Sequence, residues 1–391
     1  MISYSVYEAD GRVIRYAETL AQRGDHVDIV ALSRGDRTAP EVINGVNVYR
    51  VQGRTHDEKG KFSYLFRILA FFFRAMVFVI RRELKSHYDL VHVHSVPDFL
   101  VFAAWFPKLR GAKIILDIHD VLPELYGSKF NASETSTTFK LLLKVEQISG
   151  AFADYVIVAN HIWQDKVIAR SVPGRKCAAI LNFPDRSMFR QRGRTRKDNR
   201  FVMIYPGTLN WHQGLDIAIR SFAHIKDLEP NADFYIYGVG PAQESLALLA
   251  KDLGLNGRVK LEGSRKIEEI AELMENADLG IVPKRNDSFG NEAFSTKILE
   301  FMAMGIPVLV SNTKIDQYYF NDSVVRFFPA GNEAGLADAM LAMIRDEKLR
   351  TTLARNASEF VNNYDWQNNK GKYLDIVSQL IPNGTGIRQS S

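Results

Sequence analysis

Short apolar runs alternate with amphipathic segments along the first half of the chain. After the first run, Val13, Ala17 and Leu20 recur at helical spacing before Gly24, which predicts an amphipathic helix. Because strands separated by helices of this length form βαβ units, the pattern indicates a parallel sheet. The predicted strands are Ile2–Val6, Val27–Leu32, Val46–Val51, Leu90–Val93, Lys113–Ile118 and Tyr155–Val158.

The same alternation begins again after residue 200. Gly207 precedes a predicted helix over Ile217–Ile225, and Gly238 follows the second strand of this half. The predicted strands are Val202–Tyr205, Phe234–Tyr237, Val259–Leu261, Leu279–Val282 and Val308–Val310. The fold class is therefore α/β, with two Rossmann-like, doubly wound parallel-sheet domains. Ligands of such sheets bind beyond the carboxyl ends of the strands, so we expect an interdomain cleft.

The predicted division of the chain follows these patterns and the polar, basic stretch between them. It comprises a first domain at 1–183, a linker at 184–200, a second domain at 201–364, a C-terminal helix at 365–381 that crosses back to the first domain, and a disordered tail at 382–391.

Composition narrows the class of protein. The 391 residues are 46% hydrophobic, which is enough material for two globular cores. The single Cys177 excludes an internal disulfide framework and a Cys-rich metal site, and it fits a reducing compartment. Charged residues interrupt the first 20 positions, so no signal peptide is expected.

The net charge of +5 is concentrated in two blocks. Six basic residues lie between Lys61 and Lys85, and seven lie between Arg186 and Arg200. Localised positive charge indicates an anionic surface or substrate. Nucleic acid is disfavoured, because the sequence has no zinc-finger spacing, no aromatic RNA-binding signature and no evident helix-turn-helix.

The most informative segment runs from Asn291 to Val308. Ser295 and Thr296 are typical helix starters and Gly305 is a typical terminator, so Glu292 precedes a helix and Glu300 lies one turn inside it. A helix N-terminus suits a diphosphate. Carboxylates on either side of it suit hydroxyl groups, so the pattern predicts a ligand with a central diphosphate and polyols at both ends, which describes a nucleotide sugar.

These residues give the chain a resemblance to the retaining family 4 glycosyltransferases with the GT-B fold. Glu292 and Glu300 have that family's E-x7-E spacing. The supporting segments are Tyr205-Pro-Gly-Thr-Leu with Gly214-Leu-Asp, Gly238-Val-Gly-Pro, Ala277-Asp-Leu-Gly-Ile-Val-Pro, Asn182-Phe-Pro-Asp with Phe189, Asp89-Leu-Val-His-Val-His, Asp117-Ile-His-Asp and Ala153-Asp-Tyr-Val-Ile-Val-Ala.

The resemblance implies roles by position. The first domain would bind the acceptor, with Asp10 and Gly11 in its acceptor loop, and the second would bind the donor. Glu300 would hold the ribose hydroxyls, and Glu292 would contact the transferred sugar. His119 would approach that sugar from the first domain. The remaining donor-binding positions are Gly207, Gly238, Arg265 near the nucleobase, and the backbone of Phe294, Ser295, Thr296 and Lys297.

Plainer interpretations stay open for these residues. Glu292 and Glu300 could be capping or solvated side chains, and His119 could be a structural histidine at a strand end. The sequence also departs from the family, because Thr208 and Gln213 stand where many members carry phosphate-binding cations. We therefore predict that Arg285 and Lys297 hold the phosphates instead.

The expected mechanism needs no metal ion, since the chain lacks the D-x-D element of metal-dependent transferases. The helix dipole and cations would then meet the phosphate charge. The resemblance implies retention of the anomeric configuration, with the departing phosphate helping to deprotonate the acceptor.

The segment Phe62–Arg82 is apolar around most of a helical cylinder. At about 100° per residue, Arg67, Arg74 and Arg81 fall within about 40° of one another. A transmembrane span would bury arginines at high cost, whereas a helix in the membrane interface would direct them to lipid phosphates. The alternative is an ordinary helix packed on the sheet.

Together these observations predict a cytoplasmic hexosyltransferase, peripheral on the inner face of a membrane. It would use a UDP- or GDP-sugar without a further cofactor, act on a membrane-linked glycan or lipid-linked acceptor, and contact the anionic membrane surface, with no nucleic-acid partner. The alternatives are a nucleotide-sugar epimerase of the same fold and an inactive membrane-bound relative acting as a binding partner. A nicotinamide dehydrogenase is disfavoured, because no G-x-G-x-x-G follows the first strand.

Overall fold

The computed structural model of the protein describes residues 1–35, 39–54, 61–130 and 132–382. The chain forms two compact units, each with its own sheet. Of the described residues, the first unit contains those in Met1–Pro123, Ser133–Asn182 and 369–382, and the second contains those in Glu124–Ala132 and Phe183–Asn368. Of the tail predicted at 382–391, residues 383–391 lie outside the described residues.

The first half of the chain supplies the sheet of the first unit. Its strands are β1 (Ile2–Val6), β2 (Val27–Arg34), β3 (Glu41–Ile43), β4 (Val46–Arg54), β5 (Leu90–His94), β6 (Lys113–Ile118), β7 (Tyr155–Val158) and β8 (Cys177–Ala179). The helices of this half of the chain are α1 (Gly11–Arg23), α2 (Lys61–Glu83), α3 (Trp105–Leu109), α4 (Leu122–Phe130), α5 (Thr137–Phe152) and α6 (His161–Arg170). Most of α4 belongs to the second unit.

The strand order of the first sheet is β3-β4-β2-β1-β5-β6-β7-β8. Neighbouring strands pair in parallel, apart from β3, which pairs antiparallel with β4. The order reverses between β1 and β5. Ligands of doubly wound sheets bind at such a switch point, beyond the carboxyl ends of the strands. The loops after β1, β5 and β6 are therefore the functional edge of this unit.

Local sequence explains how α1 begins and ends. The carboxylate of Asp10 accepts a hydrogen bond from the backbone N–H of Val13, which caps the helix N-terminus. Gly24 ends the helix in the left-handed conformation, with φ of 99°. The apolar face of α1, including Val13 and Ala17, is buried.

The second unit is built from β9 (Phe201–Pro206), β10 (Ala232–Tyr237), β11 (Val259–Leu261), β12 (Leu279–Val282), β13 (Val308–Ser311) and β14 (Arg326–Phe328). Its helices are α7 (Leu215–Ile225), α8 (Gln243–Asp252), α9 (Ile267–Glu275), α10 (Thr296–Ala303), α11 (Lys314–Tyr319), α12 (Glu333–Arg345) and α13 (Glu347–Phe360), and α14 (Trp366–Leu380) follows them.

The second sheet has the order β11-β10-β9-β12-β13-β14, with parallel pairing throughout the described strands. The order reverses between β9 and β12, which places the switch point there. Two separate apolar clusters pack helices against the sheet, and they contain the fully buried Phe222 of α7 and Phe301 of α10. The sheet is therefore covered by helices on both sides, as expected for parallel strands.

The stretch predicted as a linker is attached to the second unit. The guanidinium of Arg196 lies 2.5 Å from the carboxylate of Asp278, and Arg200 pairs with Asp233. The side-chain oxygen of Asn276 accepts backbone hydrogen bonds from Thr195 and Arg196. Much of the positive charge in this block therefore meets carboxylates of its own unit.

α2 is the helix that the sequence singled out for membrane contact. Within the part of the chain that the structure describes, neither α2 nor any other helix combines the length and apolar character needed to cross a bilayer.

Candidate active site

Two loops that contain glycine follow β9 and β10, beside the switch point of the second sheet. Gly207, after β9, has φ of 151°, and Gly238, after β10, has φ of 148°. The backbone N–H of Gly207 donates to Tyr237 at 2.8 Å, and a Cβ placed on Gly238 would collide with the carbonyl oxygen of Gly207. Both positions therefore need glycine, because the two loops approach each other through their backbones.

The N-terminus of α10 lies in the connection that follows β12. Ser295 precedes this helix with extended backbone, and its side chain makes no capping hydrogen bond. Its Oγ is buried without a hydrogen-bond partner among the described residues. The first four N–H groups of a helix also have no acceptor within the helix, and the dipole gives this end about half a positive charge. An oxyanion is the ligand that such an uncapped, buried helix end favours.

Lys297 extends from the first turn of α10 to the loop after β9. Its Nζ would lie 2.9 Å from a Cβ placed on Gly207, and it sits 5.2 Å from the ring centre of Tyr205. Burial lowers the pKa of Lys297, while the nearby charge of Glu300 opposes that shift. The structure thus brings the backbone of Gly207, the ammonium of Lys297 and the start of α10 into one region.

The two glutamates of the E-x7-E pattern lie on either side of this helix start. Glu292 is 9% exposed, and its Oε1 lies 3.5 Å from the ammonium of Lys314 at the start of α11. Glu300 is on α10, one turn beyond Lys297, and is half-buried. The geometry accommodates the predicted roles of both glutamates, which stay predictions.

Arg285 and Arg265 both have carboxylate partners. The Arg285 guanidinium lies 3.5 Å from the ring centre of Trp211, and its Nη2 donates to both carboxylate oxygens of Asp216. Arg265 pairs with Glu262 at 3.2 Å and is exposed. A part for Arg285 in phosphate binding would therefore require it to exchange Asp216 for the ligand, whereas Lys297 already lies at the glycine loop.

In the first unit, Asp117 is the centre of a buried charged cluster at the end of β6. Its carboxylate receives two hydrogen bonds from Arg12, at 2.8 and 2.7 Å, and is 2.9 Å from Nε2 of His119 and 3.1 Å from Nδ1 of His94. Burial alone would raise the pKa of Asp117, but the charges of Arg12 and His119 hold it well below its usual range. Asp117 therefore orients His119, whose side chain remains partly accessible.

Asp10 precedes α1 and Gly11 begins it, in the chain that follows β1 at the same edge of the first sheet. The carboxylate of Asp10 caps α1, and Gly11 is exposed. Their predicted acceptor role stays a prediction.

Three side chains of the first unit lie close enough to share a metal ion. Among the described residues, His92, His94 and Asp117 bring one candidate ligand atom each within 4.8 Å of one another. Arg12 donates to both carboxylate oxygens of Asp117. The cluster is therefore described as a buried ion pair of Arg12 and Asp117 with two histidines beside it.

α2 has two apolar faces. Phe71 and Ala75 are fully buried against the sheet, while Phe66 and Phe73 on the opposite face are 73% and 55% exposed. The exposed apolar side chains continue along that face as Leu65, Leu69 and Val77. At about 100° per residue, the predicted row of Arg67, Arg74 and Arg81 runs along one flank of this exposed stripe. Arg74 donates to the side chain of Gln52 at 2.8 Å, and Arg81 is exposed.

Sequence reasoning did not identify the side chains that hold the loop before α10. Lys284 is 2% exposed and pairs with the buried Asp316, and Lys314 contacts Glu292. The sequence contains no signal for this arrangement, because Lys284 stands beside Arg285 in an ordinary basic dipeptide and its partner Asp316 is about 30 residues further along, on α11.

Two family models match the chain and cover most of it. The model described as "Glycosyl transferase 4-like domain" matches residues 11–182, and the one described as "Glycosyl transferases group 1" matches residues 187–360. The chain belongs to glycosyltransferase family 4. The resemblance stated from sequence motifs is thereby confirmed, and the protein is a glycosyltransferase.

Individual proteins agree with this assignment. The glycosyltransferase is 22% identical over 396 residues to phosphatidyl-myo-inositol mannosyltransferase of Mycobacterium leprae, covering 97% of this chain and 95% of that protein. It superimposes on sucrose-phosphate synthase of Thermosynechococcus elongatus with a TM-score of 0.79 at 19% identity, covering 97% and 99% of the two chains. Its superposition on Anabaena HepE in complex with UDP-glucose has a TM-score of 0.72 at 17% identity and covers 97% of this chain and 98% of HepE. The predicted GT-B fold is confirmed by these structures.

Proposed function

We propose that this glycosyltransferase transfers a hexose from a nucleoside-diphosphate sugar, with retention of configuration and without a metal ion, to a membrane-linked glycan or lipid-linked acceptor. The observation that carries the donor assignment is the uncapped N-terminus of α10, with the unpaired Oγ of Ser295 and the ammonium of Lys297 beside Gly207. These groups offer hydrogen-bond donors and positive charge to a diphosphate.

The roles of the glutamates follow from that seat. A diphosphate at the start of α10 would leave Glu300 one turn along the helix for the ribose hydroxyls and Glu292 before it for the sugar. A carboxylate near the anomeric carbon stabilises an oxocarbenium-like transition state. We propose that the departing phosphate, rather than Glu292, takes the acceptor proton, in keeping with retention in the family. His119, oriented by Asp117, is proposed to contact the sugar.

Uridine is the base we favour for the donor. HepE, whose fold this chain shares, has been crystallised with UDP, with UDP and glucose, and with UDP-glucose. GDP remains the alternative. Metal independence is supported by the lack of a D-x-D element in the sequence and by Lys297, which can meet phosphate charge directly.

The proposed acceptor is membrane-linked because of α2. The exposed stripe that contains Phe66 and Phe73 has no role in the core of its unit, and basic residues lie along its flank. Apolar side chains flanked by arginines favour the boundary between lipid headgroups and acyl chains. The M. leprae relative carries phosphatidyl-myo-inositol, a membrane lipid, in its name. We propose that the enzyme acts in the cytoplasm, on the inner face of a membrane.

Calorimetric titration tests the donor assignment. UDP and GDP should bind at least tenfold more tightly than uridine and guanosine, because a charged hydrogen bond contributes roughly 1.5–3 kcal/mol. Chelation of metal ions should leave that binding unchanged. If a nucleoside binds as tightly as its diphosphate, the proposed phosphate-binding site at the start of α10 is wrong.

Turnover separates the proposal from its two rivals. Incubation of nucleotide sugars with and without lipid extract should give transfer only when an acceptor is present. Conversion of the donor alone into an epimer would identify an epimerase, and binding without transfer or hydrolysis would identify an inactive relative.

A further inference from the structure

The loop that carries Glu292 is tied to the first turn of α11. Asn291 accepts two hydrogen bonds from that turn, one at its side-chain oxygen from the N–H of Lys314 at 2.8 Å and one at its carbonyl from the N–H of Ile315 at 3.0 Å. The residue before Glu292 is therefore fixed by backbone donors of a neighbouring helix.

The residue after Glu292 is fixed by a buried lysine. Nζ of Lys284 donates to the carbonyl oxygen of Ala293 at 2.6 Å and lies 2.9 Å from Oδ2 of Asp316. Lys284 is 2% exposed and Asp316 is fully buried. Oγ1 of Thr313, at the N-cap of α11, donates to the same carboxylate oxygen at 2.6 Å. A continuous chain of polar contacts thus runs from α11 through Lys284 to the loop.

A contribution to stability does not account for this pair. Removing two charges from water is costly, and well-packed apolar side chains of similar volume usually serve the core as well or better. An apolar side chain at position 284, however, could not donate to the carbonyl of Ala293. The feature that specifically requires a lysine here is its hold on the loop.

We infer that Lys284 and Asp316 are positioning residues for the sugar end of the donor site. They hold the backbone between Glu292 and the start of α10, and this inference rests on the proposed function of that site. Neither side chain would touch the substrate. Their effect would be on the direction of the Glu292 carboxylate and of the N–H groups that follow it.

This arrangement predicts a separation between binding and turnover. Glu300 lies beyond the loop on a helix whose neighbours Leu299 and Phe301 are fully buried, so the nucleoside end should not depend on Lys284. Misplacing a reacting group by about 1 Å can cost about 100-fold in rate. Loosening the loop should therefore lower kcat by about 10- to 100-fold and change the Kd for uridine, which lacks the diphosphate, less than threefold.

The test is the double variant Lys284→Met with Asp316→Leu, which replaces the pair by apolar side chains of similar size. Its thermal melting should stay cooperative, with a Tm equal to or above that of the wild type. Hydrogen–deuterium exchange of the peptide containing Ala293–Ser295 should become faster, and kcat should fall. The matched control is Arg196→Met with Asp278→Leu, a pair at the other end of β12, which should leave exchange at Ala293–Ser295 as in the wild type.

Unchanged exchange at Ala293–Ser295 in the folded double variant would overturn the inference, whatever the activity. Faster exchange with an unchanged kcat would also overturn it. Wild-type protein that turns over no nucleotide sugar would refute the proposed function instead, and the exchange result would still decide the hold on the loop. Should the double variant fail to fold, Asp316→Asn removes the charge but keeps the shape, and the same two readouts apply.

Discussion

Replacing Phe66 and Phe73 with serine should weaken binding to bilayers without unfolding the protein. Both side chains are exposed, at 73% and 55%, whereas the opposite face of α2 buries Phe71 and Ala75. The substitutions therefore remove apolar surface that faces solvent and leave the packed face untouched.

The size of the effect follows from the exposed fractions. Burying a whole phenylalanine side chain is worth roughly 1.5–3 kcal/mol, and these two have 73% and 55% of their surface left to bury. The pair should then contribute about 2–4 kcal/mol to membrane binding. Since 1.4 kcal/mol is a factor of ten, the partition coefficient should fall by at least about 20-fold.

Co-sedimentation with vesicles of phosphatidylglycerol and phosphatidylcholine measures this partitioning directly. The matched control is Leu228→Ser with Leu248→Ser, because these leucines of the second unit are exposed to a similar degree, at 57% and 54%. The control variant should sediment with the vesicles like the wild type. Circular dichroism melting should give the same Tm for all three proteins within about 2 °C.

The charged flank gives an independent arm of the same assay. Changing Arg67, Arg74 and Arg81 together to glutamate should weaken binding to anionic vesicles more than tenfold, since each basic residue near the surface contributes about 1 kcal/mol. That loss should shrink as salt is added, whereas the serine effect should persist. If the phenylalanine variants sediment with vesicles like the wild type and have an unaltered melting curve, the proposed membrane contact is wrong and α2 is an ordinary core helix.

Three further outcomes test the site. Glu300→Gln should weaken UDP binding by roughly 1.5–3 kcal/mol in calorimetry, while Glu292→Gln should mainly lower kcat, and full activity of both variants would refute the assignment. Lys297→Ala should reduce the ratio of UDP affinity to uridine affinity about tenfold or more. Arg285→Ala should change this ratio only if the Arg285 side chain leaves its carboxylate partner to bind phosphate. If the ratio is unchanged in both variants, other groups hold the phosphates. Asp117→Asn should lower the free energy of unfolding by about 3–5 kcal/mol, because it removes the charge that neutralises a buried guanidinium. Since the folded-state pKa of Asp117 is depressed, this stabilisation is complete above about pH 4 and is lost as pH falls further, which acid unfolding of both proteins would measure.

Strands with strong apolar runs could be predicted from sequence nearly to the residue. The predicted Ile2–Val6, Lys113–Ile118 and Leu279–Val282 match β1, β6 and β12. Each lies between two neighbouring strands in its sheet, so most of its residues are buried. The glycines at the ends of predicted strands also indicated where the loops begin.

The strands that sequence reasoning missed lie at the edges of the sheets. β3, β8 and β14 have three residues each, and each ends a sheet order. An edge strand pairs on one side only and can be short, so it leaves no apolar run long enough to recognise. β3 also introduced an antiparallel pair into a sheet predicted to be parallel.

Side-chain partners in the site were beyond the reach of sequence. Lys284 and Arg285 are neighbours, yet one turns into the buried pair with Asp316 and the other stacks on Trp211. Their partners are far away along the chain, and only the folded backbone brings them together. The sequence could therefore predict which residue types lie at the switch point, but not which charged side chains pair with one another.

The last helix has a consequence for the order in which the chain folds during synthesis. The hydroxyl of Tyr373, on α14, lies 3.0 Å from Nδ1 of His92, and both residues are buried in the first unit. Translation must add 191 residues after Asn182 before Tyr373 exists, which takes roughly 10–40 s at bacterial or eukaryotic rates. The first unit therefore lacks the helix that packs on His92 until the second unit has been made. A gene fragment ending at residue 182 would encode the first unit without α14, and a separately supplied α14 peptide should bind to it.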